Sequence, residues 1–122
     1  MRKTAASSKP VPPKPLTEAE AADGFAALGN RARLRLLRLF VRAGDGGLNV
    51  GEAGRLMEMP ASTLAHHLAA LVRAGLVIQE KRGREVICTA DYAAIKGAAA
   101  YLTEACCAGF EDLRAESKAG AA

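Results

Sequence analysis

A strand-turn-strand pattern near residue 80 limits the folds that this chain can adopt. Residues 76–78 (Leu-Val-Ile) are followed by two polar residues and a basic turn at 81–84, and residues 86–89 (Val-Ile-Cys-Thr) are again β-prone. Apolar, β-branched runs on either side of a short turn containing glycine are typical of a β-hairpin. We expect two strands here and no other β element, so the rest of the fold should be helical.

Helical spacing and capping residues predict four helices before this hairpin and one after it. They run from about residue 17 to 28, from Asn30 to the glycine turn at 44–47, from Asn49 to about Met57, from Pro60 to about Ala74, and from Asp91 to about Cys107. This order, α-α-α-α-β-β-α, is that of a mostly α winged helix-turn-helix domain.

The length of 122 residues suits one domain with one core. We expect that domain over residues 17–109, between a disordered, basic, Pro-rich leader at 1–16 and a flexible tail at 110–122. Half of the residues are apolar but only 4% are aromatic. The core should therefore consist of small aliphatic side chains on closely packed helices.

Several classes of protein are disfavoured. No apolar run approaches the roughly 20 residues that span a bilayer, and no signal peptide is evident, so we expect a cytoplasmic protein without a membrane partner. The three cysteines, two of them adjacent, suit a reducing compartment better than a disulfide framework. Neither a Gly-rich phosphate loop nor a positioned nucleophile and base is apparent, which argues against an enzyme.

The fourth predicted helix carries side chains that suit DNA. In a helix-turn-helix pair, the second helix enters the major groove with its N-terminal residues against bases and phosphates. Hydroxyl and imidazole groups occupy these positions here, at Ser62, Thr63, His66 and His67. The opposite face, which should pack into the core, carries Leu64, Leu68, Leu71 and Val72. Two alternatives remain open, because Ser62 and Thr63 could instead cap the helix and His67 could be a core histidine.

The hairpin tip is basic as well, with Lys81, Arg82 and Arg84 around Gly83. Cations on a thin β-ribbon suit phosphate or minor-groove contact beside a groove-bound helix, although exposed hairpins are often charged for solubility alone. The net charge of +4 is compatible with a polyanionic partner. Part of it lies on the leader, which is either a solvated tail or an arm that touches DNA.

Three segments resemble the ArsR/SmtB family of metalloregulatory repressors: 27–37 (ALGNRARLRLL), 60–68 (PASTLAHHL) and 71–77 (LVRAGLV). The resemblance covers roughly residues 18–107. It implies a homodimer formed through the first and last helices, which binds a palindromic double-stranded operator and releases it when an inducer binds. Ser62, Thr63 and His67 match recognition-helix positions of the family, whereas Ala65 stands where many members carry a second serine.

Cys106 and Cys107, at the end of the last predicted helix, are the candidate inducer site. Trivalent arsenic, antimony and cadmium favour thiolates, and adjacent thiols supply two ligands from one segment. The ending LTEACC resembles that of arsenic-sensing family members, while the thiol pair that other members carry on the third helix has no counterpart at 48–52. We therefore expect a trivalent arsenical, arsenite or methylarsenite, or antimonite as inducer, with another thiophilic metal such as cadmium as an alternative. In a simpler interpretation, Cys106 and Cys107 are two small apolar side chains that pack at an interface and bind no ligand.

Other interpretations give Cys88 a role. A switch that senses thiol oxidation or reactive sulfur would use Cys88 with Cys106 or Cys107. Cys88 of one subunit could also be a ligand in the other, because the family implies antiparallel pairing of the last helices, or it could be a core residue. A winged helix that binds protein instead of DNA is the remaining class.

Overall fold

The computed structural model describes residues 10–104 and Gly109. Within them the chain forms five α-helices and a three-stranded antiparallel sheet. The elements are α1 (Glu18–Leu28), α2 (Arg31–Ala43), β1 (Leu48–Asn49), α3 (Val50–Met57), α4 (Ala61–Arg73), β2 (Val77–Arg82), β3 (Glu85–Ala90) and α5 (Tyr92–Thr103). This is the predicted winged helix-turn-helix fold. The predicted inducer site at Cys106 and Cys107 lies outside the described residues, as do positions 1–9 and 110–122.

The helices begin where the capping residues predicted. Thr17 and Glu20 form a reciprocal capping box, with distances of 2.9 and 3.1 Å between each backbone nitrogen and the other side chain. Asn49 and Glu52 form a second box at α3, and Asn30 caps α2. Each cap satisfies backbone N–H groups that have no partner within the helix, which stabilises a helix by about 1 kcal/mol.

The sheet corrects the prediction of a lone hairpin. β1 adds a third strand, with Leu48 opposite Cys88 and Asn49 opposite Ile87, so β3 lies between β1 and β2. Two residues are too few to show alternation, which explains why the sequence did not reveal β1. The hairpin turn is also shorter than predicted, because pairing continues to Arg82 opposite Glu85 and leaves only positions 83–84 in the turn.

The core is mainly aliphatic, as the composition predicted, with Phe40 as its one fully buried aromatic side chain among the described residues, and α4 contributes one complete face to it. The largest side chains with less than 2% exposure are Phe40, Leu36, Leu64, Leu71, Leu76 and Cys88. Leu68 is also buried, and Val72 packs against the same cluster. Burial of such side chains holds α4 in a fixed rotation about its axis. No helix in the described part of the chain is long and apolar enough to cross a membrane.

Residues 10–16, which belong to the predicted leader, lie along α5. The Lys14 backbone N–H donates to the Ala93 carbonyl at 2.8 Å, and Lys96 Nζ donates to the Val11 carbonyl at 2.9 Å. Gly97 makes this possible, since a Cβ there would overlap the Lys14 carbonyl oxygen and lie 3.1 Å from Leu16 Cγ. These contacts involve mainly backbone atoms, so side-chain periodicity gave no sign of them.

Candidate nucleic-acid interface

α3 and α4 form a helix-turn-helix pair through a three-residue turn at 58–60. Glu58 takes the left-handed conformation, with φ of 55°, and ends α3 by donating its N–H to the Arg55 carbonyl at 3.1 Å. The next N–H, of Met59, donates to the Gly54 carbonyl at 3.0 Å. These bonds turn the chain sharply, and the buried leucines of α4 then point its polar face away from the core.

Ser62, Thr63 and His66 are exposed on that polar face. The N-cap of α4 is Pro60, which makes no side-chain capping bond, so Ser62 and Thr63 lie inside the first turn and do not cap the helix. The first N–H groups of a helix lack acceptors within it and attract phosphate groups. The start of α4 therefore offers hydroxyl, imidazole and backbone donors together.

His67 lies differently, half-buried where α4 meets α2. Its Nδ1 is 3.4 Å from a guanidinium nitrogen of Arg33. The pKa of His67 is lowered below its usual value of 6.5. Partial burial is the largest cause, and the charges of Arg33 and of the neighbouring His66 add to it. The ring is therefore neither fully in the core nor fully on the polar face.

The β2–β3 hairpin, the wing, carries the three predicted cations, and all are exposed. Arg82 pairs with Glu80, with nitrogen-oxygen distances of 2.8 and 2.9 Å, and also donates to the Gly46 carbonyl at 3.4 Å. Within residues 10–104 the structure gives no ion pair to Lys81 or Arg84. Two of the three wing cations are thus left for an outside anion.

Sequence reasoning missed Arg33. It is one of five arginines on α2, and no local spacing connects positions 33 and 67. The structure brings the two side chains together and also directs Arg33 Nε to the Ala27 carbonyl at the end of α1, 2.7 Å away. Such a contact between distant segments can be found only once the helices are packed.

Cys88 is a core residue of the subunit, with no exposed surface. Gln79 Nε2 lies 3.8 Å from its sulfur, and burial raises the pKa of the thiol. Among the described residues, no group of three or more His, Cys, Asp or Glu side chains is placed to hold a metal ion. Because Cys88 is buried and the pKa of its thiol is raised, this thiol is poorly suited to reaction with oxidants or electrophiles in the folded subunit.

Comparisons with known proteins agree with this geometry. A family described as a helix-turn-helix domain matches residues 28–80. Comparison with curated protein sequences found no match. Among solved structures, the ArsR-like transcriptional regulator from Rhodococcus sp. RHA1 is 27% identical, covers 84% of this chain and 93% of its own, and has a TM-score of 0.67.

Two further structures are similar. Reduced HlyU from Vibrio cholerae N16961 is 32% identical, with 73% of this chain and 90% of its own covered and a TM-score of 0.56. The homodimeric winged helix-turn-helix domain of Mb0332 from Mycobacterium bovis, a possible ArsR-family regulator, is 22% identical, with 81% of each chain covered and a TM-score of 0.56. The motifs at 27–37 and 60–68 fall mainly within α1, α2 and α4, and the motif at 71–77 runs from the end of α4 to the start of β2. The chain belongs to the ArsR family of winged helix-turn-helix transcriptional regulators.

Proposed function

We propose that this protein is a homodimeric repressor that binds operator DNA and releases it when a trivalent arsenical, arsenite or methylarsenite, or antimonite binds Cys106 and Cys107. The observation that carries the DNA-binding part is the division of α4 into two faces. Buried leucines hold one face, and the other presents Ser62, Thr63 and His66 to solvent.

On this proposal α4 enters the major groove, where hydroxyl and imidazole groups contact base edges and phosphates. Lys81, Arg82 and Arg84 on the wing contact phosphates beside it. Each cation that neutralises a phosphate releases a counterion, so affinity should fall steeply as salt rises. If the same surface recognised a protein instead, salt-dependent binding to duplex DNA would not be observed.

The homodimer is supported by the described surfaces of α1 and α5, and by the homodimeric state of the Mycobacterium bovis relative. Ala22 and Ala26 are exposed on α1, as are Ala99 and Leu102 on α5, and Leu102 is 68% exposed. Small residues allow the helices of two subunits to approach closely. A two-fold axis between subunits would place the two α4 helices on half-sites about 34 Å apart, which calls for a palindromic operator.

The inducer assignment rests on the chemistry of the donor set. Cys106 and Cys107 follow α5 closely and supply two soft donors, which trivalent arsenic and antimony prefer. Each thiol would lose its proton and displace one hydroxyl group from the metalloid, which leaves as water. Two thiols satisfy methylarsenite, whereas arsenite needs a third ligand. A coupling of about 1–3 kcal/mol between this site and DNA would change affinity roughly 5- to 150-fold.

A second candidate, a switch that senses thiol oxidation, is favoured by the relative whose solved form is specified as reduced HlyU. It would use Cys88 with Cys106 or Cys107. The burial of Cys88 and the raised pKa of its thiol count against that residue as a partner, since the thiolate is the reactive form.

The test begins by selecting an operator from a pool of random duplexes. Fluorescence anisotropy under reducing conditions then follows DNA release during titration with arsenite, methylarsenite, antimonite, cadmium and zinc. The variants are Cys106→Ser/Cys107→Ser and, as a matched control, Cys88→Ser. We expect release by a trivalent metalloid from the wild type and from Cys88→Ser, but not from the double variant.

The other outcomes are equally informative. If none of the five titrants changes DNA binding but oxidation with hydrogen peroxide abolishes it, the protein senses thiol oxidation and the metalloid proposal is wrong. Release by cadmium alone would keep the thiol site and change its ligand. Failure to select any duplex would overturn the DNA-binding role.

A further inference from the structure

Arg33 connects three helices at the edge of the candidate DNA-binding surface. It lies in the first turn of α2, and its side chain is half-buried. Its Nε donates to the Ala27 carbonyl at 2.7 Å, and its terminal nitrogen lies 3.4 Å from Nδ1 of His67 on α4. One guanidinium thus spans the end of α1 and the middle of the recognition helix.

The chemistry of this contact decides which form His67 takes. A guanidinium is always charged at neutral pH and only donates hydrogen bonds, so Nδ1 of His67 must be the acceptor and carry no proton. In the neutral ring the proton then resides on Nε2. The lowered pKa of His67 agrees with a neutral ring beside a cation.

The position of the guanidinium is itself fixed. The Ala27 carbonyl lies in the last turn of α1, where carbonyl oxygens receive no hydrogen bond from a following turn of the helix. A charged donor at 2.7 Å makes a short, strong hydrogen bond to such an oxygen. The second nitrogen is consequently held toward His67, and its orientation does not depend on the longer 3.4 Å contact.

We propose that Arg33 is a positioning residue for DNA recognition, which holds His67 as an Nε2–H donor for an acceptor on the operator. This inference rests on the proposed DNA-binding function and specifies the recognition chemistry. An Nε2–H donor matches guanine O6 or N7, adenine N7 or a phosphate oxygen, and it disfavours the exocyclic amino groups of adenine and cytosine. Because Arg33 is anchored on α1, it also connects the proposed dimer helix to the recognition helix.

The experiment uses the fact that the chain has only two histidines. Long-range proton-nitrogen NMR spectra of the full-length, DNA-free protein report the tautomer and pKa of each ring, and the His67→Gln variant assigns the signals. In the wild type at neutral pH we expect the Nε2–H tautomer at His67 and a pKa of this ring below its usual value of 6.5. In Arg33→Gln the tautomers should mix and the His67 pKa should rise.

DNA affinity is measured on the same proteins. We expect Arg33→Gln and His67→Gln each to weaken operator binding about fivefold to tenfold, which corresponds to the loss of one hydrogen bond. The double variant should be no weaker than the worse single variant, since the two residues act as one unit. Arg35→Gln, exposed on the same helix, is the matched control and should leave the His67 signals unchanged. If Arg33→Gln does not fold, Arg33→Lys takes its place. Lysine keeps the positive charge but lacks the two guanidinium nitrogens that contact the Ala27 carbonyl and His67.

An Nδ1–H tautomer at His67 in the wild type would overturn the inference, as would operator binding by the Arg33 variants at wild-type affinity. Affinity losses that multiply in the double variant would also overturn it. In each of these cases the wild type still binds DNA and the proposed function stands. A wild type that binds no duplex would overturn both.

Discussion

The DNA-facing region and the α5 region of this molecule are held together in different ways. α4 is fixed by large buried side chains on one face, while its polar residues on the other face are exposed to solvent. α5 instead packs through small residues, and the segment at 10–16 approaches its backbone at Gly97. Stability and function should therefore be separable on α4, but not on α5, where small residues serve both packing and the proposed dimer interface.

The largest expected effect is at Leu68, which is 4% exposed on the core face of α4. Leu68→Ala leaves a cavity beneath the recognition helix and should lower the free energy of unfolding by about 4 kcal/mol, measured by urea denaturation. His66→Ala, two positions away on the exposed face, is its matched control. That variant should change stability by less than about 0.5 kcal/mol while weakening operator binding about tenfold. Equal loss of stability in both variants would contradict the separation of the two faces.

The Gly47→Ala variant tests whether a close approach between two backbone segments also matters outside α5. It has φ of 67°, and a Cβ there would lie 2.6 Å from the Cys88 carbonyl oxygen and 2.7 Å from Ile87 Cγ2, on the central strand of the wing sheet. Gly47→Ala should cost about 3 kcal/mol, from overpacking together with a positive-φ backbone that favours glycine. The measurement is thermal unfolding at matched concentration.

Two glycines in the same turn separate these causes. Gly44 also has a positive φ of 75° but no atom within 4 Å of its Cβ position, so Gly44→Ala should show only the backbone cost of about 1–2 kcal/mol. Gly46 has open space and no left-handed φ, so Gly46→Ala should be close to neutral. If all three variants were destabilised equally, contact with the sheet would not be the cause at Gly47.

The same contrast explains what the sequence could predict. The helices, their caps and the leucine face of α4 follow from patterns within a few residues, such as the capping box at Thr17 and Glu20. β1, the segment at 10–16 and the contact between Arg33 and His67 depend on residues far apart in the chain, so no local pattern marks them. The thiol site was predicted from residue chemistry and family resemblance and stays a prediction, since Cys106 and Cys107 lie outside the described residues.

The wing should contribute less to affinity than α4, and its contribution should depend on salt. The logarithm of the DNA-binding constant falls as the logarithm of the salt concentration rises. Replacing Lys81 or Arg84 by alanine should make this negative slope shallower by about 0.9 for each phosphate that is no longer neutralised. Arg82→Ala should reduce it less, because Glu80 already neutralises part of that charge. Operator titrations at several salt concentrations measure the slope, and Glu80→Gln should strengthen binding. An unchanged slope in both the Lys81 and Arg84 variants would exclude the wing from the interface.

Only a small effect on stability is expected at Gly97, because the substitution there disturbs residues 10–16 and leaves the packed core in place. Alanine there would displace the Lys14 carbonyl and detach residues 10–16, but it would also gain about 1 kcal/mol of helix propensity in α5. The two effects oppose each other, so unfolding should change little while hydrogen exchange at the Lys14 amide becomes fast. Ala100→Gly, on the exposed side of α5, is the inverse control, which should lower stability and leave that amide protected. Slow Lys14 exchange in folded Gly97→Ala would mean that the segment is held by contacts other than the backbone approach at Gly97.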